Sequence, residues 1–199
     1  MNTETAFQLQ AIAQNGLLFA SSESDQVRYG ELLELAIEMT AALGDADVSD
    51  VKALFDAAGG YATPKVDVRG AVFAQDKLLL VPSRSHDTWV LPGGWAESDL
   101  SPSENVTRHL SSLLGCPVQS ERILAVWQEF AEVWGTLSYP TYHIVFQCAA
   151  ALDSEVPLDV GRLFTSGEIE SLPLLVGYRR RLQWLLSVHT LAPHGADFD

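Results

Sequence analysis

Basic side chains are scarce in this sequence. Lysine and arginine number 12 against 26 aspartates and glutamates, a formal charge of −14 over 199 residues. A field of that sign repels phosphate backbones and anionic headgroups, which excludes general binding to nucleic acid or to a membrane surface. Cysteine is scarcer still. Cys116 and Cys148 make no disulfide framework, and without a C-x-x-C pair there is no thiolate zinc site. No apolar run reaches the roughly 20 residues of a bilayer span. Residues 1–4 lack the basic-then-apolar start of an export signal. The expected setting is cytoplasmic. Apolar material is not scarce: 47% of residues are hydrophobic and 19% charged, the composition of a folded chain. At this length a chain buries roughly 70% of the surface its unfolded form exposes, enough for one domain with a small appendage.

The first sixty residues read as helical. Phe7, Ile12, Leu17 and Phe19 lie near helical spacing, and Ser21-Ser22 breaks the pattern. Val27, Leu32, Leu35, Ala36, Met39 and Leu43 repeat near 3.6, with Gly44 as the expected stop. Val51, Leu54 and Phe55 form a short third segment ending at Gly59-Gly60. So small a helical region has little core of its own and must pack on the main domain or on a second chain.

After Thr63-Pro64 the period changes to two. Val66, Val68 and Val72 point one way; Lys65, Asp67 and Arg69 point the other. Gln75-Asp76 reads as a hairpin turn into Leu78-Leu79-Leu80-Val81. Strand candidates follow at 123–129 and 142–149. A last helix is expected from Leu174 to about His189, with Leu175, Tyr178, Leu182, Leu185 and Leu186 inward. The order predicts an α+β fold, with a helical region over 1–60 and a β-rich domain over 61–199.

Between these strands lies a glycine loop and a well-specified helix. Ser101 is a strong N-cap, Pro102 sits at the first helical position, and Glu104 completes a capping box. Val106, Leu110, Leu113 and Leu114 follow on one face, and Gly115 is the natural stop.

This loop and helix resemble the Nudix hydrolase motif, G-x5-E-x7-R-E-U-x-E-E-x-G-U with U apolar. Gly94, Arg108, Leu110 and Gly115 fall in register, and Leu91-Pro92-Gly93-Gly94-Trp95-Ala96 is similar too. The N-terminal helices, the stretch 61–69 and the stretch 101–106 resemble the bacterial branch acting on ADP-ribose or CDP-choline. The resemblance implies a Nudix-type α/β/α sandwich with a mixed sheet, and a homodimer built partly by the N-terminal helices.

The departures concern the metal ligands. The resemblance implies carboxylates at 100, 109, 112 and 113; this chain has Leu100, His109, Ser112 and Leu113. In the family those glutamates hold Mg²⁺ against the diphosphate. Mg²⁺ wants several oxygen ligands in octahedral geometry, which leucine, imidazole and a neutral hydroxyl do not supply. The expectation is a catalytically impaired protein, with no resident metal, that binds a nucleotide-like ligand or a partner. Two alternatives compete with it. One is an active Mg²⁺- or Mn²⁺-dependent hydrolase with ligands relocated to Glu97, Asp99, Glu104 or Asp159. The other is a structural or dimerisation module without a small ligand.

Spacing alone makes Lys65, Asp67 and Arg69 a solvated strand face; the resemblance makes them border a substrate pocket, with Arg69 as a phosphate or ribose contact. Trp95 leans towards the core, with base stacking as its other use. His143 reads first as a hydrogen-bonded strand histidine and second as a pocket residue. Glu104, four residues before Arg108, is the expected partner of that arginine. His86-Asp87 is too short a pattern for a metal pair. Arg179-Arg180-Arg181 is expected to cover the solvent side of the last helix.

Overall fold

Each apolar stripe before residue 60 folds as a helix: α1 (Thr3–Phe19), α2 (Glu23–Gly44) and α3 (Val48–Ala57). The computed structural model describes residues 3–83, 87–134, 137–151, 160–175, 177–189 and 195–198. Ser22 caps α2 by accepting from the Asp25 amide. The stop expected at Gly44 comes one residue later. Gly44 is helical and buried, and Asp45 takes the left-handed conformation at φ 49°, its N–H reaching the Ala41 carbonyl. Asparagine and aspartate tolerate that region because their short polar side chains bond locally.

The chain divides into two units, Met1–Lys65 with Glu129–Thr141, and Val66–Gln128 with Tyr142–Asp199. In the first, Phe7, Ile37, Ala41, Val51, Phe55 and Tyr139 form the core. Phe7 meets Phe55 and Tyr139 edge-on at centroid distances of 5.7 and 5.3 Å, an arrangement the ring quadrupoles favour. Gln14 donates to the carbonyls of Ala58 and Gly60, which fixes the end of α3 to α1. The stripes are only partly spent on this core: Ile12, Phe19, Val27, Leu35 and Leu43 are exposed.

The second unit is built on a mixed sheet. The strands are β1 (Lys65–Ala74), β2 (Lys77–Pro82), β3 (Trp89–Val90), β4 (Gly93–Trp95), β5 (Val118–Trp134), β6 (Leu137–Ala150), β7 (Arg162–Thr165) and β8 (Asp197–Phe198), of which Lys65 and the part of β5 and β6 within 129–141 belong to the first unit. The order is β3-β2-β1-β6-β5-β8; β4 also pairs with β1 and β7 with β2. The pairs β1–β2, β1–β4, β2–β3 and β2–β7 are antiparallel and β5–β8 is parallel. The helices are α4 (Pro102–Leu114), the single turn α5 (Ser166–Ile169) and α6 (Tyr178–Val188).

The period of two decides the layering. On β1 and β2, Val68, Val72 and Leu79 pack with Val106 and Leu110 of α4. Ala71, Leu78 and Leu80 point to the other side and pack with Ile169, Tyr178, Leu182 and Leu185 of α5 and α6. Both faces of the sheet are therefore covered, giving α/β/α layers. Three expected inward residues depart from this. Val66 is 38% exposed, and Leu175 is 48% exposed because the last helix starts only after Gly177, at φ 83°. Leu113 is half-buried and stands outside the cluster that Leu110 and Leu114 join.

Candidate functional site

The loop and helix centred on residues 93–115 form as local chemistry dictates. The Ser101 side chain accepts from the Glu104 amide, and the Glu104 carboxylate accepts from the Ser101 amide at 2.8 Å. The Ser101 hydroxyl and amide hold the Glu104 carboxyl below its ordinary range. Gly115 closes the helix at φ 67°. The glycines of β4 lie flat on β1, in the register Asp67↔Trp95, Val68↔Gly94 and Arg69↔Gly93. Gly93 has φ 152°, and a Cβ there would lie 2.0 Å from the Val68 carbonyl oxygen, so no side chain fits. Across the sheet, Gly70 leaves the room that the Leu110 side chain of α4 occupies.

Asn105 organises the approach to the helix. It is fully buried. Its Oδ1 accepts from the Glu97 amide at 2.8 Å, and its Nδ2 faces the carbonyls of Glu97, Leu100 and Ser101 at 3.0, 3.1 and 3.2 Å. One amide side chain thus ties together Glu97, Leu100 and Ser101 of the loop 97–101. The sequence pattern does not single out Asn105. Its signal was a polar residue beside Val106 on the inward side of a capped helix.

His109 sits between α4 and β4. A backbone carbonyl only accepts, so His109 Nε2–H donates to the Trp95 oxygen, 2.9 Å away. Its ring lies against Gly94, where an added Cβ would come within 3.1 Å of Cε1. Leu100 and Leu113 are half-buried and Ser112 is exposed. The pairing expected between Arg108 and Glu104 is not the one formed. Glu104 is taken by the cap, and Arg108 reaches Glu97 at 3.7 Å instead. Both of those side chains are more than half exposed, so the pair contributes little to stability. Asp99 is exposed. Asp159 and His86 lie outside the described residues. Among the described residues no three His, Cys, Asp or Glu side chains come together as metal ligands.

On the sheet face turned from α4, the strand side chains are not a solvated row. Asp67 is 2% exposed and His143 7%. Arg69 donates to Asp67 twice, Nε to Oδ1 at 2.5 Å and Nη2 to Oδ2 at 2.8 Å. His143 Nδ1–H donates to Asp67 Oδ1 at 3.1 Å. Burial pushes the Asp67 carboxyl up, but the His143 hydrogen bond and the Arg69 guanidinium outweigh it and hold the group below its ordinary value. Arg69 Nη1 also donates to the Leu91 carbonyl at 3.0 Å, while the Leu91 amide donates to the Tyr178 hydroxyl at 2.9 Å. The Gly70 amide reaches the Pro92 carbonyl at 2.8 Å. The segment leading into the glycines is thereby held by β1 and α6. Burial also raises the Tyr178 hydroxyl, keeping it neutral in this role.

The structure therefore brings together Asp67, Arg69 and His143, and sets Trp95 beside them. Trp95 is directly opposite Asp67 in the register, so the two side chains share a sheet face. The core placement expected for Trp95 is corrected: it is 42% exposed. Its backbone is fixed by strand pairing and by His109, while its indole is open to solvent. Arg69 spends three of the five N–H groups of a guanidinium on Asp67 and Leu91. Lys65 falls in the other unit, where its Nζ stands 5.4 Å from the Tyr139 ring centroid.

Comparison with known proteins yields three findings. Residues 2–55 match the family model Nudix_N, described as a UDP-X-like, N-terminal oligomerisation domain. The chain is 38% identical over 146 residues to the Bacillus subtilis (strain 168) protein named "Putative ADP-ribose pyrophosphatase YjhB", covering 73% of this chain and 70% of that one. Among solved structures, a UDP-X diphosphatase aligns over the whole of both chains at 28% identity and a TM-score of 0.51. An ADP-ribose pyrophosphatase from Streptococcus suis 89-1591 aligns with 69% of this chain and all of its own at 25% identity and a TM-score of 0.53.

Proposed function

Because the chain belongs to the Nudix hydrolase family, we propose that it binds a nucleoside diphosphate linked to a second group, and that it does so without the family's metal-dependent hydrolysis. The observation that carries this reading is the chemistry of the loop–helix unit. Leu100 and Leu113 offer no ligand atom, Ser112 offers a neutral hydroxyl, and the one nitrogen donor, His109, is bonded to the Trp95 carbonyl. Glu104 closes the helix cap and Glu97 faces Arg108. This donor set does not fit a hard divalent ion that demands octahedral oxygen ligands.

Binding then needs hydrogen-bond donors in place of a metal, and Arg69, its charge balanced by Asp67, supplies them. Asp67 holds the guanidinium by two parallel hydrogen bonds, which fixes its plane before any ligand arrives. Its two remaining N–H groups are suited to phosphate oxygens. Trp95, rigid in backbone and open at the indole, offers a flat surface for a base on the same sheet face. Gly93, opposite Arg69 in the strand register, sets no side chain beside the guanidinium, and His143 acts through Asp67 as a positioning residue. The assembly is a homodimer formed through the N-terminal helices.

Thermal melting tests the reading. ADP-ribose, CDP-choline and UDP-linked sugars are added in EDTA and, separately, in Mg²⁺. A ligand at about 100 times its dissociation constant adds about 2.7 kcal/mol. In a chain of this size each kcal/mol moves the midpoint by roughly 2–4 °C. The expected result is a shift of the same size in EDTA and in Mg²⁺ for at least one compound. A shift confined to Mg²⁺, or no shift with any compound, would overturn it.

A further inference from the structure

Leu91 and Pro92 lie where the chain passes from one strand partner to another. Strand β3 ends at Val90 on β2, and β4 begins at Gly93 on β1. Leu91 is fully buried, so its amide and its carbonyl both need partners. Side chains supply them. The amide donates to the Tyr178 hydroxyl at 2.9 Å, and the carbonyl accepts from Arg69 Nη1 at 3.0 Å. Pro92 has no N–H, and its carbonyl accepts from the Gly70 amide at 2.8 Å.

The proline ring biases the residue before it towards extended backbone. In Leu91 that restriction couples the two backbone groups: holding the amide at Tyr178 also aims the carbonyl at Arg69. Tyr178 is the fixed end of this chain of contacts. It opens α6 after Gly177, and it packs with Leu91, Leu182 and Leu185 in the core. Arg69 is the end that meets solvent, with a side chain 21% exposed. Asp67 grips the guanidinium at Nε and Nη2, and the Leu91 carbonyl grips it at Nη1. Acceptors on two sides fix the position of the group as well as its plane.

We infer that Tyr178 is a positioning residue for ligand binding: through Leu91 it sets the Arg69 guanidinium, and with it the two N–H groups left for phosphate oxygens. The inference rests on the binding reading above and adds a helix, α6, to a site otherwise carried by strands.

Tyr178→Phe in the full chain tests it, since only the hydroxyl is removed. The first readout is the arginine side-chain ¹⁵N spectrum without ligand, with Arg69 assigned by its loss in Arg69→Lys. The wild type is expected to give separate Nη1 and Nη2 signals for Arg69. In Tyr178→Phe these are expected to merge, while the Nε–H held by Asp67 stays in place. Leu185→Val, a core change on the same helix, is expected to leave them separate. The second readout is affinity for ADP-ribose and UDP-glucose in EDTA. Tyr178→Phe is expected to weaken binding about tenfold in the wild-type background and by no more than about twofold in the Arg69→Lys background.

Merged Arg69 signals in the wild type, or signals and affinity unchanged in Tyr178→Phe, overturn the inference. So does an equal loss of affinity in both backgrounds, which makes Tyr178 a packing residue only. If neither compound binds the wild type, the binding reading itself falls, and the ¹⁵N signals alone decide whether Tyr178 positions Arg69.

Discussion

His109 donates its Nε2–H to the carbonyl oxygen of Trp95 across 2.9 Å, tying the capped helix to the glycine strand. The side chain that stands where the family resemblance implies a carboxylate is thus committed to the scaffold. Restoring the carboxylate alone, His109→Glu, removes that donor and sets negative charge beside a carbonyl. The cost is about 1 kcal/mol, since the site is only partly buried, and the melting midpoint falls by roughly 2–4 °C. With Leu100, Ser112 and Leu113 unchanged, the variant is expected to show no Mg²⁺-dependent turnover of ADP-ribose. Melting curves and product analysis check both halves.

The two glycines of β4 differ in what they tolerate. Gly94→Ala brings a methyl to 3.1 Å from the His109 ring, which must give by a few tenths of an ångström. Gly93→Ala meets the Val68 carbonyl at 2.0 Å from a backbone at φ 152°. We expect the first to cost about 1 kcal/mol and the second about 3 kcal/mol or more, read as denaturant midpoints.

Asp67 gives stability a defined acid limb. Its folded-state value is depressed, so its contribution is fully present above the ordinary carboxylate value of about 4 and is lost as pH falls through the folded-state value. Asp67→Asn leaves the Arg69 guanidinium without its counter-charge. One-sided removal from a buried pair costs about 3–5 kcal/mol, and the 21% exposure of Arg69 places this case near 3. Urea unfolding from pH 7 to pH 2 should show the gap between wild type and variant narrowing below about pH 4. A gap of constant size would contradict the assignment.

Asn105→Ala removes the buried side chain that bonds the loop 97–101 at four points. The Glu97 amide and three carbonyls lose their partner. At about 0.5–1.5 kcal/mol per hydrogen bond, with water replacing some, the loss is about 2 kcal/mol. Hydrogen exchange at residues 97–101 should rise sharply, while the amides of α4 beyond its first turn stay protected.

What the sequence made legible was what nearest neighbours decide. The capping box of Ser101 and Glu104, the stop at Gly115, the turn at Gln75-Asp76 and the inward row Val106, Leu110 and Leu114 all follow from residues within a few positions of one another. The short strands β3 and β4 were not legible, because Pro92 and two glycines carry no periodicity. The burial of Asp67 depends on His143, 76 residues away, and no local pattern distinguishes it from a solvated aspartate. Arg108 was assigned the near partner Glu104, but the cap claimed that carboxylate first and left Glu97, eleven residues before the arginine. Trp95 was placed by its hydrophobicity, whereas the register against Asp67 turns its indole to a partly open sheet face.

Isothermal titration of ADP-ribose and of a UDP-linked sugar, in EDTA and then in Mg²⁺, with recovery of the ligand by chromatography, addresses the central claim directly. The account predicts equal affinity in both buffers for one of these ligands, its recovery intact, and loss of binding in Arg69→Ala. Affinity that appears only with Mg²⁺, or recovery of the ligand as two monophosphates, would contradict it.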